Sequence, residues 1–390
     1  MLLFKTALQS LIGNGLKTWL TVFVLSLAIV MIIIMQGILH GWSRQAIDDA
    51  QRWELADGQY WCGGYDPWDP FSLDSATASI PEPLARQVEQ GLLEPVLITQ
   101  ATVYPEGRMQ GVMLRGIRPG QQLLEISTAV LRGDSMGPVP VVVGAFMARQ
   151  LKVKLNDEMI LRWRDKNGAF EAVDIRIAGV FKTAVPSIDN GVLWIGLENL
   201  QAMTMRQGEA NILVKSEAAE VIEVEGWTFK TVDKLMEATL LLVKTKSAGT
   251  SVFYVIFLLL AMLAIFDTQT LAIFRRQREI GTMVALGMTR GQVVKHFTIE
   301  GSLYALLAIV VGAVWGTPLI WYLSAVGISF PMEAAEFGVP MADVMYAAVT
   351  PGLVLGTVLF VFVVTAIVSY LPARKIATMN PTEAIRGKIL

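Results

Sequence analysis

Residues 275–300, RRQREIGTMVALGMTRGQVVKHFTIE, form a charged segment between two long apolar stretches. The segment contains five Lys and Arg residues, and Glu279 and Glu300 are its only acidic residues. A short loop rich in Lys and Arg between membrane spans is typical of the cytoplasmic side. We therefore expect residues 275–300 to be a cytoplasmic loop and the apolar stretches on either side to be membrane spans.

This segment also has the pattern of a short helix with one apolar face. Four of its residues fall at i, i+3, i+4 and i+7: Ile280, Met283, Val284 and Gly287. Gly287 is suited to end that helix, and Thr289 is suited to cap a second helix beginning at Arg290. Such a helix can anchor on lipid headgroups or dock onto a soluble partner. Periodicity alone favours the anchor.

The run RRxREIGxxxALGMTRGQV resembles the coupling-helix signature of the FtsX-like and MacB-like ABC permeases. In that family the helix rests in a groove of a separate ATPase subunit and passes its motion to the membrane helices. The resemblance therefore favours docking. The motif positions are occupied by Arg278, Glu279, Ile280, Gly281, Ala285, Leu286, Gly287 and Arg290. With the stripe residues Met283 and Val284, these are the candidate ATPase contacts. The resemblance also implies that ATP and Mg are bound by the partner and that this chain binds no cofactor.

The composition indicates a chain that is part membrane and part aqueous domain. Of its 390 residues, 53% are hydrophobic and 17% are charged, and the mean hydropathy is +0.50. A net charge of −2 provides no basic surface of the kind that nucleic acid requires. We expect no nucleic-acid partner.

The apolar stretches and charges predict the order of segments along the chain. We expect a cytoplasmic elbow helix over 1–17, spans over 18–40, 251–274, 301–326 and 345–371, an aqueous domain over 41–250, a short loop over 327–344 and a tail over 372–390. The loop has three acidic residues and no Lys or Arg, whereas the tail is basic. The positive-inside rule therefore puts the tail and 275–300 inside and the aqueous domain outside. The first apolar run is longer than that of a signal peptide, so we expect an uncleaved span.

The aqueous domain contains segments with strand character. Val141–Val143, Met159–Leu161 and 173–180 are rich in β-branched and apolar residues and are separated by Asn, Asp and Gly turns. The fold class that we predict is a membrane α-helical protein with four transmembrane helices and a large extracytoplasmic α+β domain between spans one and two. The runs VVVGAFMARQLKVKLNDEMILRW and VDIRIAGVFKTAVPSIDNGVLWI also resemble this domain in the LolC/LolE lipoprotein-releasing permeases.

Two apolar groups are candidates for contact with a lipid-linked substrate. Aromatic residues crowd a loop-like stretch after span one and include Trp53, Trp61 and Trp68. A helix before span two places four apolar residues on one face: Val232, Leu235, Met236 and Leu240. The alternative for both groups is local packing.

Asp267 is the one carboxylate inside a predicted span. A charged residue at the centre of a membrane helix costs ~2.5 to 3.5 kcal/mol on insertion scales, so Asp267 should face protein. Either it forms a structural hydrogen bond, to Thr268, Thr270 or a neighbouring helix, or it takes part in a conformational cycle.

The sequence has no recognisable catalytic or metal site. It lacks hydrolase, metalloprotease and nucleotide-binding-loop motifs. Cys62 is the only cysteine, which predicts an unmodified thiol, and His40 and His296 stand apart from other metal-binding residues. We predict no catalytic residues, no metal and no enzyme activity in this chain.

The function implied by the resemblance is that of a permease subunit in a bacterial inner membrane. It would work with two ABC ATPase subunits and a second permease chain, like or unlike. It would move a lipidated or apolar substrate, with lipoproteins favoured, towards a periplasmic carrier or adaptor. A MacB-like peptide or drug exporter is an alternative, disfavoured by the lack of a fused ATPase domain. Another is an FtsX-like relay to a cell-wall hydrolase; a membrane-tethered enzyme has no motif to support it.

Overall fold

The computed structural model describes residues 15–69, 73, 76–132, 137–329 and 344–377. The chain divides into two compact units. The helical unit comprises Met1–Trp42, Leu242–Ile328 and Met345–Leu390, and the barrel unit comprises Ser43–Leu241 and Ser329–Val344. The expected elbow helix falls almost entirely, and the end of the tail wholly, outside the described residues.

The α-helices of the described residues are, in chain order, α1 (Leu16–Ala50), α2 (Glu82–Glu89), α3 (Ala145–Leu151), α4 (Pro186–Asp189), α5 (Leu197–Thr204), α6 (Val232–Leu235), α7 (Glu237–Arg275), α8 (Gln277–Ala285), α9 (Arg290–Ala325) and α10 (Pro351–Ala377). A π-helical turn, Gln51–Leu55, follows α1. The strands are β1 (Gln59–Cys62), β2 (Ala78–Ser79), β3 (Leu93–Tyr104), β4 (Gln110–Ile117), β5 (Val139–Gly144), β6 (Glu158–Arg164), β7 (Phe170–Phe181), β8 (Val192–Gly196), β9 (Glu209–Ala210), β10 (Ile212–Lys215), β11 (Trp227–Lys230), β12 (Ile328–Ser329) and β13 (Val344–Met345).

Four helical segments are long and apolar enough to cross a membrane, in agreement with the four predicted spans. They are Thr18–Leu55, Ser251–Leu271, Arg290–Ala325 and Pro351–Arg374. Their inward faces share one apolar core, to which α1 contributes Leu25 and Ile29, α7 contributes Ile265, and α9 contributes Leu303. This core defines the helical unit.

The helices that carry three of the predicted spans begin or end at other residues than the predicted span limits. The first helix does not end at residue 40 but continues to Ala50. The helix of the third span begins at Arg290, as predicted from the Thr289 cap, and runs directly into the span expected from residue 301. The fourth begins at Pro351 rather than 345; proline is favoured in a first helical turn, and the Thr350 hydroxyl accepts a hydrogen bond from the Leu353 N–H at 3.3 Å.

Two spans each contain a G-x-x-x-G motif, Gly312 with Gly316 and Gly352 with Gly356, and the two motifs have different surroundings. A Cβ atom added at Gly316 would lie 2.6 Å from Val30 Cγ2, and one at Gly312 would lie 3.4 Å from the same atom. These glycines therefore permit close packing of α9 on α1. An added Cβ at Gly352 or Gly356 would meet no described atom within 4 Å.

The barrel unit is built on a nine-stranded mixed sheet, in the order β11-β1-β10-β3-β4-β8-β5-β7-β6. A further pairing between β3 and β6 closes six of these strands, β3, β4, β8, β5, β7 and β6, into a barrel. The strands expected around Val141, Ile160 and Ile177 are present as β5, β6 and β7. The closed barrel is a feature that the α+β prediction did not contain.

The length of β3 explains how one sheet forms both a barrel and an extension. Along one edge, its first residues pair with β10 (Val96 opposite Ile212), and its last residues pair with β6 (Val103 opposite Leu161). The other edge pairs with β4, with Thr99 opposite Leu114. A single 12-residue strand thus joins the barrel to β10, β1 and β11.

Glu94 at the start of β3 makes a buried ion pair. Its side chain is 1% exposed, and its Oε2 accepts hydrogen bonds from Arg118 Nη2 at 2.6 Å and Nε at 2.9 Å. The Arg118 guanidinium also donates to the carbonyl oxygens of Val88 and Leu93, at 2.9 and 3.0 Å. This pair ties the end of α2 and the start of β3 to the residue after β4.

We predict that Glu94→Gln lowers the free energy of unfolding by roughly 1 to 3 kcal/mol, because it removes the charged acceptor of the Arg118 hydrogen bonds at a carboxyl group that is 1% exposed, while Arg118 itself stays 34% exposed. Glu82→Gln is the matched control, since Glu82 forms an ion pair with Arg86 in which both side chains are more than 70% exposed. The control should change stability by less than about 1 kcal/mol. Denaturant unfolding of the detergent-solubilised chain, followed by tryptophan fluorescence, measures both. Equal effects of the two substitutions would contradict the prediction.

Candidate functional site

The segment 275–300 folds into a short helix between two long ones. Helix α7 ends at Arg275, α8 covers Gln277–Ala285, and α9 begins at Arg290. Gly287 has φ +102° and lies one residue after the C-cap Leu286, a backbone conformation that favours glycine. Thr289 caps α9 through a capping box: its Oγ1 accepts from Gln292 N–H at 3.3 Å, and its own N–H donates to Gln292 Oε1 at 2.9 Å. The predicted end of the short helix at Gly287 and the predicted cap of the next helix at Thr289 are both present.

The apolar stripe of α8 is directed into the helical unit. Ile280 is 5% exposed and packs with Val293 and Phe297 of α9 and Ala373 of α10. Val284 is partly buried against the same cluster, and Gly281 is buried. Ile280 and Gly281 therefore hold α8 on its own chain instead of contributing to an outer face. The side chains of Glu279 and Met283 lie outside the described residues.

The outer face of α8 and the turn after it carries the other candidate coupling residues. Arg278, Ala285, Gly287 and Arg290 are exposed. Leu286 is 88% exposed, the highest exposure among the described large hydrophobic side chains. The segment 278–290 therefore exposes one large apolar side chain, Leu286, and two positive charges, Arg278 and Arg290.

A buried ion pair fixes the start of α8 to α9, and the sequence analysis did not identify it. Arg276 Nη1 lies 3.2 Å from Glu300 Oε2 and 3.3 Å from Oε1. The Glu300 side chain is 2% exposed, and the Arg276 guanidinium carbon lies 5.5 Å from the centre of the Phe297 ring. The position of Glu300 could have indicated this ion pair, because an acidic residue directly before the apolar run of α9 requires a partner of opposite charge.

Asp267 has a different environment from the one expected. Its side chain is exposed on α7, and no hydrogen bond or ion pair joins it to another described residue. Thr268 instead bonds to the Ala264 carbonyl at 2.7 Å and to Thr21 Oγ1 at 2.9 Å. Within this chain, the expectation that Asp267 faces protein is therefore not met.

Two of the three tryptophans chosen as substrate contacts are partly buried and pack against a core cluster of the barrel unit. Trp53 stacks on Phe181 with ring centres 5.6 Å apart, and Trp61 packs edge-on against Tyr65 at 5.0 Å. Trp68, by contrast, is 82% exposed. For Trp53 and Trp61 the structure matches the local-packing alternative.

The apolar face before span two is also occupied by its own chain. Met236 is 6% exposed and packs with Ala50 and Leu55, with three partly buried residues around them: Val232, Leu235 and Leu240. The neighbouring Leu241 is 64% exposed. Of the two candidate groups and the residue that follows them, only Trp68 and Leu241 have exposed apolar side chains.

No group of three or more His, Cys, Asp or Glu residues that could hold a metal ion occurs among the described residues. The Cys62 thiol is buried and donates to the Ala76 carbonyl oxygen at 2.8 Å. Burial raises the pKa of this thiol to about 11, so Cys62 stays protonated and weakly nucleophilic at neutral pH.

Four apolar helices with a shared core define a multi-pass membrane protein. Residues 251–381, which include α8 and three of these helices, match the FtsX-like permease C-terminal family. The C-terminal third of the chain is therefore similar to the FtsX-like permeases, in agreement with the family resemblance drawn from residues 275–300.

Curated relatives extend this similarity beyond the C-terminal domain. The chain is 26% identical over 270 residues to an uncharacterised ABC transporter permease of Methanocaldococcus jannaschii, covering 63% of this chain and 62% of that protein. It is 22% identical to the macrolide export ATP-binding/permease protein MacB of Bordetella avium, over 98% of this chain and 59% of MacB. It is 23% identical to the lipoprotein-releasing system transmembrane protein LolC of Xylella fastidiosa, over 75% of this chain and 76% of LolC. The chain thus spans about three fifths of the first two relatives.

We predict that Glu300→Gln loosens α8, because it leaves the Arg276 guanidinium facing a neutral group in a mostly buried site. Amide hydrogen exchange of residues 280–286 should become about tenfold faster or more, as expected for a loss of 1.4 kcal/mol or more. Removing both charges with Arg276→Gln and Glu300→Gln should recover part of the loss.

Lys295→Gln is the matched control for this prediction, since Lys295 is an exposed charged residue on α9, the helix that also carries Glu300. Hydrogen exchange with mass spectrometry on the purified full chain measures all four forms. If α8 exchanged at the wild-type rate in Glu300→Gln, the ion pair would not hold this helix in place.

Proposed function

We propose that this chain is the permease subunit of an ABC transporter, with ATP and Mg bound by a separate ATPase subunit. Helix α8 is the contact with that subunit. The similarity to ABC transporter permeases supports this assignment, and so does the construction of α8, whose inner face packs on α9 and α10. A force applied to such a helix moves the spans attached to it.

The observation that carries the proposal is the exposure of Leu286. A leucine that is 88% exposed gains roughly 1.5 to 3 kcal/mol when an apolar pocket covers it. The arginines Arg278 and Arg290 are exposed nearby in the sequence and suit an acidic rim around such a pocket. We assign Leu286 as the anchor of the ATPase contact and these arginines as its charged surroundings.

The proposed orientation follows from charge. The basic segment 275–300 and the termini lie on the cytoplasmic side of a bacterial inner membrane, and the barrel unit lies on the outer side. Two ATPase subunits then act on a pair of permease chains, because each chain presents one α8.

For the substrate, we propose a lipid-linked molecule, with lipoproteins as the favoured class. The similarity to LolC, over about three quarters of both chains, supports this choice. The exposed Trp68 and Leu241 offer apolar surface to an acyl chain, and such contacts bind chains of varied length. A periplasmic carrier or adaptor would then receive the substrate.

The second candidate function is export of a peptide or drug. The specific observation in its favour is the similarity to MacB, which extends over 98% of this chain. The two candidates differ in whether the substrate must carry acyl chains.

We predict that Leu286→Asp weakens binding of the ATPase subunit about tenfold or more, because it removes the apolar anchor and adds a charge that must be desolvated. Leu155→Asp is the matched control, since Leu155 is also exposed (56%) but belongs to the barrel unit. Co-purification with the candidate ATPase and ATPase stimulation in proteoliposomes measure both variants. Wild-type binding by Leu286→Asp would contradict the assignment, and equal losses would indicate a non-specific effect.

We also predict that photo-crosslinking residues at Trp68 and Leu241 label an acylated lipoprotein more strongly than its non-acylated form. The acyl chains provide the apolar surface that these side chains would cover. A crosslinker at the exposed Phe170 of the barrel unit controls for general proximity. Equal labelling of both forms would remove the support for a lipid-linked substrate and favour the exporter.

A further inference from the structure

The chain turns sharply where α1 leads into the sheet of the barrel unit. Helix α1 has 35 residues, whereas about 20 are enough to cross the hydrocarbon core of a membrane. Its last residues, 43–50, already belong to the barrel unit. The π-helical turn Gln51–Leu55 then leads to β1, which begins at Gln59. We call residues 51–58 the α1 corner.

The backbone of the α1 corner adopts conformations that cost free energy. A π-helical turn is rare and often occurs at a functional site. Ala56 has φ +45° and ψ −117°, a region that favours glycine. Gly58 has φ +122°, and a Cβ atom added there would lie 2.8 Å from the Lys230 carbonyl oxygen. Such a corner persists only where the surrounding contacts hold it.

Glu54 is the side chain that ties this corner to the barrel. Its Oε1 accepts a hydrogen bond from Arg115 Nη1 of β4 at 3.0 Å, and its Oε2 accepts one from the Ser187 hydroxyl of α4. The Glu54 carbonyl oxygen accepts a third, from Gln59 Nε2 at 3.0 Å. The ion pair is mostly buried, with Glu54 18% and Arg115 11% exposed. One residue of the corner thus contacts partners that are 61 and 133 residues away in the chain.

Both side-chain partners of this carboxylate are themselves fixed in the barrel unit. The Arg115 guanidinium carbon lies 5.5 Å from the centre of the Trp194 ring on β8, and this tryptophan is 1% exposed. Ser187 lies two residues before Asp189, whose Oδ1 accepts a hydrogen bond from the Met147 N–H at 3.1 Å at the start of α3. The barrel therefore offers the corner a rigid attachment.

The start of α7 meets the same corner. Met236 directly precedes α7, is 6% exposed and packs on Leu55 of the corner. The strand before α6, β11, pairs with β1, so that Lys230 stands opposite Gln59. The chain thus enters and leaves the sheet side by side, next to Glu54.

We propose that Glu54 is a positioning residue that locks the α1 corner, so that the outer end of α1 and the sheet of the barrel unit keep one fixed angle. Rotation about the corner would break the ion pair with Arg115 in a mostly buried site, and such a loss is unfavourable. The inference rests on the proposed function for its role, because in a permease the lock makes a movement of α1 reach the barrel. The lock itself requires neither an ATPase nor a substrate.

A distance measurement across the corner tests the lock on the full chain in lipid vesicles. Spin labels at Arg44→Cys on α1 and Asp174→Cys on β7 replace exposed residues of the barrel unit. The native Cys62 is buried and can stay. We expect one narrow distance distribution in the labelled parent chain. After Glu54→Gln the distribution should be roughly twofold broader or more, because the lost ion pair no longer limits rotation.

Glu209→Gln is the matched control for this measurement. The Glu209 side chain is 15% exposed and forms an ion pair with Lys166, but it lies outside the corner. Ser187→Ala is a milder second variant that removes only one contact of Glu54, and its width should be intermediate. An unchanged width in Glu54→Gln or in Ser187→Ala, or equal broadening in Glu209→Gln, would overturn the lock.

The role in transport has a separate readout, which a structural role alone would not give. In proteoliposomes with the candidate ATPase, Glu54→Gln should lower ATP-dependent release of an acylated model lipoprotein roughly fivefold or more. Binding of the ATPase and ATP hydrolysis should stay at the level of the Glu209→Gln control. Equal losses of release and hydrolysis, or unchanged release with a broadened distance, would overturn the positioning role.

These outcomes are distinguishable from failure of the proposed function. If the distances stayed narrow in Glu54→Gln while Leu286→Asp still lost ATPase binding, only the lock would be wrong. If the distances broadened while Leu286→Asp bound the ATPase normally, only the coupling assignment would be wrong.

Discussion

The packing of the helical unit depends on one constraint, the free-energy cost of an unpaired charge in an apolar helix bundle. A buried carboxylate or guanidinium must be paired, because unpaired charge in a medium of low dielectric constant costs several kcal/mol. Glu300 meets this requirement inside the chain, through Arg276 at 3.2 Å. Asp267 does not meet it among the described residues. The same constraint therefore fixes α8 on its own spans.

Much of the helical unit could be predicted from the sequence, because its signals are local. Apolar length indicates a span, and the Gly287 and Thr289 signals mark the ends of α8 and the start of α9 without reference to distant residues. The beginning of α10 at Pro351 was missed since the apolar stretch around residue 345 continues without a break in hydropathy. The turn chemistry of Thr350 and Pro351, and not hydropathy, decides where that helix starts.

The closed barrel could not be predicted in this way. It depends on β3 pairing with β6 and β10 along the same edge, between residues far apart in the chain. Alternation within each strand indicates a strand but not its neighbours. Periodicity has the same limit on α8: it identified the stripe of Ile280 and Val284, but it could not say whether a partner or the chain itself covers that stripe. The same holds for Trp53 and Trp61. A cluster of aromatic residues in a sequence does not show whether their side chains pack within the chain or form an exposed surface.

The packing of α8 has a mechanical consequence. The Ile280 cluster joins α8 to α9 and α10, while the Arg276–Glu300 pair joins the corner between α7 and α8 to α9. If α8 is the ATPase contact that we propose, its displacement therefore acts on three spans together. Helix α9 extends for 36 residues from the Thr289 cap, with Pro318 inside it, and so connects the end of α8 to the far end of the span. Burying the apolar stripe of α8 within the chain is what such transmission requires, since a helix held only by its partner would move without moving the spans.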